Sequence, residues 1–306
     1  MISIAMATYN GERFIREQID SILRQTIQDF ELVVSDDCST DTTWQILKEY
    51  EAKDKRIHCY RNEQNMGFVK NFEQAMIHCK GDYIALSDQD DIWTDNHLQV
   101  LLENIGNNIV CCGDAVLIEN NVLTEKLSDR NGADLLQLNT FEKKLKRSLY
   151  SGMPYQGAST LIKQSHLKQI FPFPNIRMHD VWIFFYACTH NGFVYIDEII
   201  THYRQHNTNV TTREKRSLLK DLLKLNLKKY KQNDRPLYIE ALLKRFPDME
   251  EAHKKTLLEA QQWFQNVPKR WYRFKNIRFW IKTYPYRFPG QSKKLLIPKL
   301  IRFLFL

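Results

Sequence analysis

The sequence predicts an α/β domain on a mostly parallel sheet flanked by helices, followed by a helical, basic and aromatic extension. Three observations carry that expectation. Short apolar runs alternate with helix-period stretches over residues 1–112, the pattern of βαβ units. Polar clusters follow three of those runs: Thr8-Tyr9-Asn10, Asp36-Asp37 and Asp88-Gln89-Asp90-Asp91. The charge also changes sign along the chain. Residues 1–210 hold 20 Lys+Arg against 28 Asp+Glu, whereas residues 211–306 hold 24 against 8.

Each element has its own signal. Ile2–Ala7 is an apolar run that ends in the turn residues Thr8-Tyr9-Asn10-Gly11. Phe14, Ile15, Gln18, Ile19, Ile22 and Leu23 then recur at helical spacing. Phe30–Ser35 is a second strand, and Ser39 or Asp41 would cap a helix through Trp44, Leu47 and Tyr50. Arg56–Arg61 is a third strand and Gly67–Cys79 a helix. Asp82–Ser87 is a strand, Thr94–Ile105 a helix and Ile109–Cys112 a buried strand. Residues 113–175 are less regular, 176–191 read as helix, and Phe193–Tyr203 alternates like a strand. From about 211 to 260 the pattern is helical and charged.

Composition excludes several classes. Hydrophobic residues make up 43% and aromatics 12%, which is too apolar for a disordered chain. No apolar run approaches the ~20 residues of a membrane span. No basic leader precedes Ile2-Ser3-Ile4-Ala5, so no secretory signal is expected. The six cysteines, at 38, 59, 79, 111, 112 and 188, form no CxxC pair, and the expectation is reduced thiols in a cytosolic chain.

After Glu259 there is no acidic residue, while 11 Lys+Arg remain. Trp263, Trp271, Tyr272, Trp280, Tyr284 and Phe288 interleave there with Lys269, Arg270, Arg273, Lys275, Arg278 and Lys282. That texture suits an anionic membrane surface docking on residues 260–306. The other reading is a small helical core with solvated charges. No nucleic-acid partner is expected, because no RNA-binding motif accompanies the aromatics.

Ligands of open α/β sheets bind beyond the carboxyl ends of the strands, so the three polar clusters would converge on one crevice. No Gly-rich phosphate loop is present, so a bound diphosphate needs another counter-charge. Asp88 and Asp90, spaced i, i+2 after a strand, would hold a hard divalent cation. The competing reading is a plain turn or helix cap.

Five strings then occur in order: Ala7–Gly11, Val33–Asp41, Asn65-Met66-Gly67 with Lys70-Asn71, Gly81–Ile84 and Leu86–Trp93. Together they resemble the family 2 glycosyltransferases of GT-A (Rossmann-like) fold. Ser87–Trp93 resembles the rhamnosyltransferase-like branch used in bacterial surface polysaccharide assembly. The resemblance implies a GT-A domain over 1–210, with nucleotide binding in 1–112 and acceptor binding in 113–210. Residues 211–306 would be the membrane-associating extension.

It also implies roles. Thr8 and either Asp36 or Asp37 would contact a pyrimidine base and ribose, with Tyr9 and Asn10 in the same donor-binding set. Asp88 would sit near ribose and metal, and Asp90 would ligate Mn2+ or Mg2+. Lys70 stands where relatives often carry Arg, keeping the charge without the bidentate fork. Cys38 replaces a usual Gly, implying a backbone shape that tolerates a side chain. Asp180 matches the family's Glu/Asp-Asp motif and would be the catalytic base, with His179 in place of the usual acidic partner. His206 resembles a late metal-site histidine, and Arg204 would pair with diphosphate or with a carboxylate. The Gln-x-x-Arg-Trp signature of processive members is absent, since Val267 precedes Arg270-Trp271 at the glutamine position.

The implied activity is inverting, metal-dependent transfer of a sugar from a UDP- or dTDP-sugar to a hydroxyl of a glycan acceptor. The acceptor would be lipid-linked, serving O-antigen or capsule assembly at the cytoplasmic face of the membrane. Two alternatives differ in class. A nucleotidyltransferase acting on sugar phosphates should carry an N-terminal Gly-rich loop, where this chain offers only Gly11. A non-catalytic membrane or nucleic-acid adaptor would not need Asp88, Asp90 and Asp180 intact.

Overall fold

A computed structural model describes residues 1–119, 122–130, 137–151, 153–206, 234–267, 270–287 and 295–305. They form two compact units. The first comprises Met1–Arg130, Tyr155–Ala187 and Asn191–Gln205; the second comprises Asn131–Pro154, Cys188–His190 and His206–Leu306. The expected helical stretch over 211–233 lies outside the described residues.

In the first unit the chain runs β1 (Ile2–Thr8), α1 (Ile15–Leu23), β2 (Phe30–Asp36), α2 (Thr43–Lys53), β3 (Ile57–Arg61), α3 (Phe68–Ile77) and β4 (Tyr83–Asp88). It continues through β5 (Ile92–Trp93), α4 (His97–Ile105), β6 (Val110–Glu119), β7 (Val122–Lys126) and α5 (Leu127–Arg130). After α6 (Phe141–Ser151), which belongs to the second unit, come β8 (Thr160–Lys163), α7 (Leu167–Ile170), α8 (His179–Thr189) and β9 (Phe193–Arg204).

The strands form one nine-stranded sheet in the order β3-β2-β1-β4-β8-β6-β9-β5, with β7 on β6. β1 is parallel to β2 and β4, β2 to β3, and β6 to β9. β8 runs against both β4 and β6, so β6 again points the same way as β1–β4. The expected mostly parallel sheet is therefore present. β5, β7 and β8 are the reversed strands. Their 2–5-residue lengths leave too little periodicity to read in advance.

Burial on both faces explains the unbroken apolar strands. β2 is buried at every position, and α1 turns Ile15, Gln18, Ile19 and Ile22 inward at i, i+3, i+4, i+7. The core gathers Ile4, Met6, Ile19, Leu32, Val34, Leu98, Leu101 and Leu161. Fully burying each such side chain stabilises the fold by about 1.5–3 kcal/mol. Among the buried polar groups, Gln18 Nε2 donates to Ser87 Oγ at 2.8 Å, and Gln25 bridges the Thr94 carbonyl (2.7 Å) and the Leu98 N–H (3.0 Å). α1 is thereby tied to the segment that leaves β4.

In the second unit, α9 (Arg235–Arg245), α10 (Glu251–Asn266), α11 (Arg270–Lys275), α12 (Ile277–Arg287) and α13 (Leu296–Phe305) follow. Trp263, Val267, Trp280, Tyr284, Phe303 and Leu304 form its core. The Arg287 guanidinium lies over the rings of Trp263 (4.3 Å) and Tyr150 (4.8 Å). Trp263, Trp280 and Tyr284, which the sequence reading offered to a headgroup layer, are thus interior side chains. Residues 268–269 and 288–294, and the side chains of Arg270, Trp271 and Tyr272, lie outside the described residues. No helix among the described residues is long and apolar enough to cross a membrane.

Cys38 corrects an expectation. Its φ is +62°, so the backbone keeps the left-handed shape that favours glycine, and the side chain is carried at a cost of about 1–2 kcal/mol. Glycine would remove that cost and add about 0.5–1 kcal/mol of unfolded-chain entropy. Cys38→Gly should therefore unfold in urea within about 1 kcal/mol of the native chain, on the stabilising side. Cys38→Val, β-branched at the same φ, should lose more than about 2 kcal/mol. A valine variant as stable as the native chain would contradict the strain.

Candidate functional site

Register places three strand ends side by side. Thr8 of β1 lies opposite Asp36 of β2, and Ala7 lies opposite Asp88 of β4. Thr8 Oγ1 donates to Asp36 Oδ1 at 3.1 Å. Asp36, fully buried, also accepts from the Ser39 N–H (3.0 Å) and hydroxyl (2.5 Å), and Arg61 lies 3.5 Å away. Asp37 is 1% exposed and accepts from the N–H groups of Met66 (2.9 Å) and Gly67 (2.8 Å) and from Asn62 Nδ2 (2.9 Å). Neither aspartate, nor Thr8 (1% exposed), presents its side chain at the surface. What these residues do here is hold the loops at the strand ends in shape.

The residues that reach out are Tyr9, 45% exposed, and Asn10. Asn10 sits at φ +49°; its N–H donates to Ser39 Oγ (2.9 Å) and its Oδ1 accepts the Thr40 N–H (2.8 Å). Thr42 rather than Ser39 or Asp41 is the N-cap of α2, and Asp41 just before it accepts the Thr43 N–H at 2.9 Å. A clamp that the sequence reading missed joins β1 to β4. Gln89 Oε1 accepts the Tyr9 N–H (2.9 Å), and Gln89 Nε2 donates to the Tyr9 carbonyl (3.0 Å). Gly11 leaves room for it: a Cβ there would stand 2.2 Å from Gln89 Oε1.

The acidic loop after β4 is the electrostatic centre. Burial pushes the Asp88 carboxyl up to about 8, with further upward pressure from the charges of Asp90 and Asp180. Asp91 is fully buried and raised well above the carboxylate range, first by burial and then by Asp90 and Asp88. Arg204, at the end of β9, offsets part of that. Its N–H donates to Asp91 Oδ1 (3.0 Å) and its Nε to the Asp90 carbonyl (2.9 Å). Its guanidinium also pairs with Glu17 (2.5 Å) and lies 4.8 Å over the Phe14 ring. The Glu17 pairing is an ion pair with a carboxylate, one of the two roles expected for Arg204.

Asp180 enters from the first turn of α8. That helix is buried all round: Trp182, Ile183 and Phe185 are at most 1% exposed, and Trp182 Nε1 donates to the Ile170 carbonyl at 3.0 Å. Asp180 Oδ1 accepts the Val181 N–H at 2.7 Å. The 156–157 segment fills the space beside it. Gln156 Nε2 donates to Asp91 Oδ2 (3.3 Å), while a Cβ on Gly157 would stand 3.1 Å from Asp180 Cβ. His179 stacks on Phe72 at 4.0 Å, and burial pushes its imidazole down to about 3, leaving it neutral.

Lys70 is about half exposed and pairs with Glu73 at 2.7 Å. His206 is half-buried and belongs to the second unit. Among the described residues, no group of three or more His, Cys, Asp or Glu side chains is arranged to hold a metal ion. Asp88 and Asp90 fit a partial shell instead. Both are half-buried carboxylates whose repulsion a cation would relieve. Hard carboxylate oxygens are the donor type that suits Mg2+ or Mn2+.

The sequence model of glycosyl transferase family 2 matches residues 3–171, more than half of the chain. The chain belongs to that family, and the fold is the GT-A-like one that the resemblance implied. It is similar to the dTDP-rhamnosyl transferase RfbG of Shigella flexneri, at 32% identity over 67% of this chain and 72% of that one. The UDP-Glc:alpha-D-GlcNAc-diphosphoundecaprenol beta-1,3-glucosyltransferase WfgD of Escherichia coli is 32% identical over 60% of this chain and 68% of its own. Two other relatives are matched over only 41% and 38% of their length. S. aureus TarS 1–349, solved in complex with UDP-GlcNAc, shares the fold at a TM-score of 0.60 and 19% identity, covering 99% of this chain and 81% of that one.

Arg204 is the testable support of this loop. Arg204→Met keeps the N–H bond to Asp91 but removes the cation near two crowded carboxyls and the bond to the Asp90 carbonyl. The loss in urea unfolding should be about 2–4 kcal/mol, with Arg204→Lys in between. Unfolding of the methionine variant at the native midpoint would show that Arg204 holds nothing.

Proposed function

We propose that this chain transfers a sugar from a UDP- or dTDP-linked donor to a hydroxyl of a lipid-linked glycan. The transfer is inverting, and one sugar is added per encounter. The relatives' names support both donor classes and a diphosphoundecaprenol-linked acceptor, and the absent processive signature supports single addition. The product is a bacterial surface polysaccharide, O-antigen or capsule, and the enzyme works at the cytoplasmic face of the membrane.

One observation carries the reading. Asp180, far downstream in sequence, stands close enough to Asp88 for its charge to raise the Asp88 pKa. A carboxylate on a rigid helix beside an acidic strand end is what a single displacement needs: a base on one side and a diphosphate site on the other.

The residues divide the work accordingly. The exposed Tyr9 ring stacks on the base, with Asn10 beside it, in a pocket that Thr8, Asp36 and Asp37 shape through their loops. Asp88 and Asp90 would hold Mn2+ or Mg2+, which when bound would neutralise charge on the departing diphosphate. Lys70 adds a single mobile positive charge to those phosphates. Arg204 acts on the donor through Asp90 and Asp91, whose positions it sets. Asp180 accepts the proton of the attacking hydroxyl on the face opposite the leaving group. Its neutral neighbour His179 adds no second negative charge where the family often carries one.

The test is nucleotide release from a panel of UDP- and dTDP-sugars with Mn2+ and an acceptor glycan. Asp180→Asn should slow transfer by about 10²–10⁴ while donor binding, read by thermal shift, persists. Asp90→Asn should lose both. Full turnover in Asp180→Asn would remove the assigned base.

A further inference from the structure

The basic tail is not uniformly charged in space. α12 turns Trp280, Thr283 and Tyr284 inward. Arg278, Ile281, Lys282 and Pro285 face solvent on its other side, at i, i+3, i+4, i+7, with Ile281 41% exposed. Lys275, at the end of α11, is exposed as well. None of Lys275, Arg278 and Lys282 forms an ion pair among the described residues. No acidic residue follows Glu259 in the sequence. The exposed side of α12 is thus cationic with an apolar residue in its middle, while the aromatic residues beneath it are occupied in the core.

We propose that this face, Lys275–Arg278–Ile281–Lys282, docks on an anionic lipid surface. Three like charges with no internal counter-ion are supplied with one by acidic headgroups, and Ile281 enters the boundary between headgroups and acyl chains. The occupant is lipid rather than nucleic acid. The apolar members are Ile281 and, beside Lys275, Phe274, 41% and 40% exposed; an aliphatic chain with one ring suits the acyl boundary, whereas single strands are held by stacking on a series of exposed rings. The proposal deepens the reading of a lipid-linked acceptor by naming the surface that brings the enzyme to it. It concerns no residue assigned to the transfer.

The experiment is co-sedimentation of the full chain with vesicles of phosphatidylcholine alone and of phosphatidylcholine with one-quarter phosphatidylglycerol. The native chain should bind only the anionic vesicles. The triple variant Lys275→Gln, Arg278→Gln, Lys282→Gln should lose about 100-fold in partitioning. Ile281→Ser should weaken binding with its salt dependence unchanged. Circular dichroism checks that both variants fold, and both should keep native turnover on a soluble acceptor. Equal partitioning of native and triple-variant chains would overturn the proposal. So would tighter binding to a single-stranded oligonucleotide than to the anionic vesicles. Either result would leave the transfer reading standing, because binding is measured without substrate; loss of turnover in Asp180→Asn tests that reading separately.

Discussion

Like-charge crowding at the carboxyl edge of the sheet is the constraint from which the rest of the site follows. Asp88, Asp90 and Asp91 leave β4 together, and Asp180 joins them from α8. Left alone, such a cluster would spring apart or protonate. Packing prevents the first, and Asp88 yields to the second, its carboxyl pushed up to about 8. The fold binds the loop through Arg204, Gln89 and Gln156 and leaves Asp88 and Asp90 half-buried. Their mutual repulsion is the chemical invitation to a divalent cation with a diphosphate.

The sheet topology makes the meeting possible. Parallel β1, β2 and β4 deliver three polar ends to one edge. Reversed β8 begins at that edge, so the segment just before it, Gln156-Gly157, arrives beside Asp91 and Asp180. β9, running with β6, ends there too and brings Arg204 back from the far side of the sequence. Two close approaches, at Gly11 and Gly157, keep the packing tight without displacing Gln89 or Asp180.

Much of the frame was legible because its signals are local. The apolar runs of β1, β2 and β4 and the 3.6-period face of α1 state their own burial, and the polar strand ends follow from the topology rule. What was not legible depends on partners distant in sequence. Asp36 and Asp37 read as ligand contacts, yet their oxygens are taken by Thr8, Ser39 and the 62–67 loop. Arg204 read as a phosphate contact or an ion pair, and only the folded chain brings Glu17 and the Asp90 carbonyl to it. In the tail, aromatics at helical spacing look the same whether they face lipid or a core, and burial of Trp263, Trp280 and Tyr284 decides for the core. At Cys38 the residue type suggested a relaxed backbone, but the turn between β2 and α2 sets the dihedral regardless of the side chain.

The central claim is that burial among like charges holds the Asp88 carboxyl protonated until a cation arrives. Calorimetric titration of Mn2+ with UDP, in buffers of different ionisation enthalpy, counts the protons displaced. With Asp88 pushed up to about 8, binding at pH 7 should release about one proton, falling toward zero as pH rises past 9. Binding at pH 7 with no proton release would contradict the account.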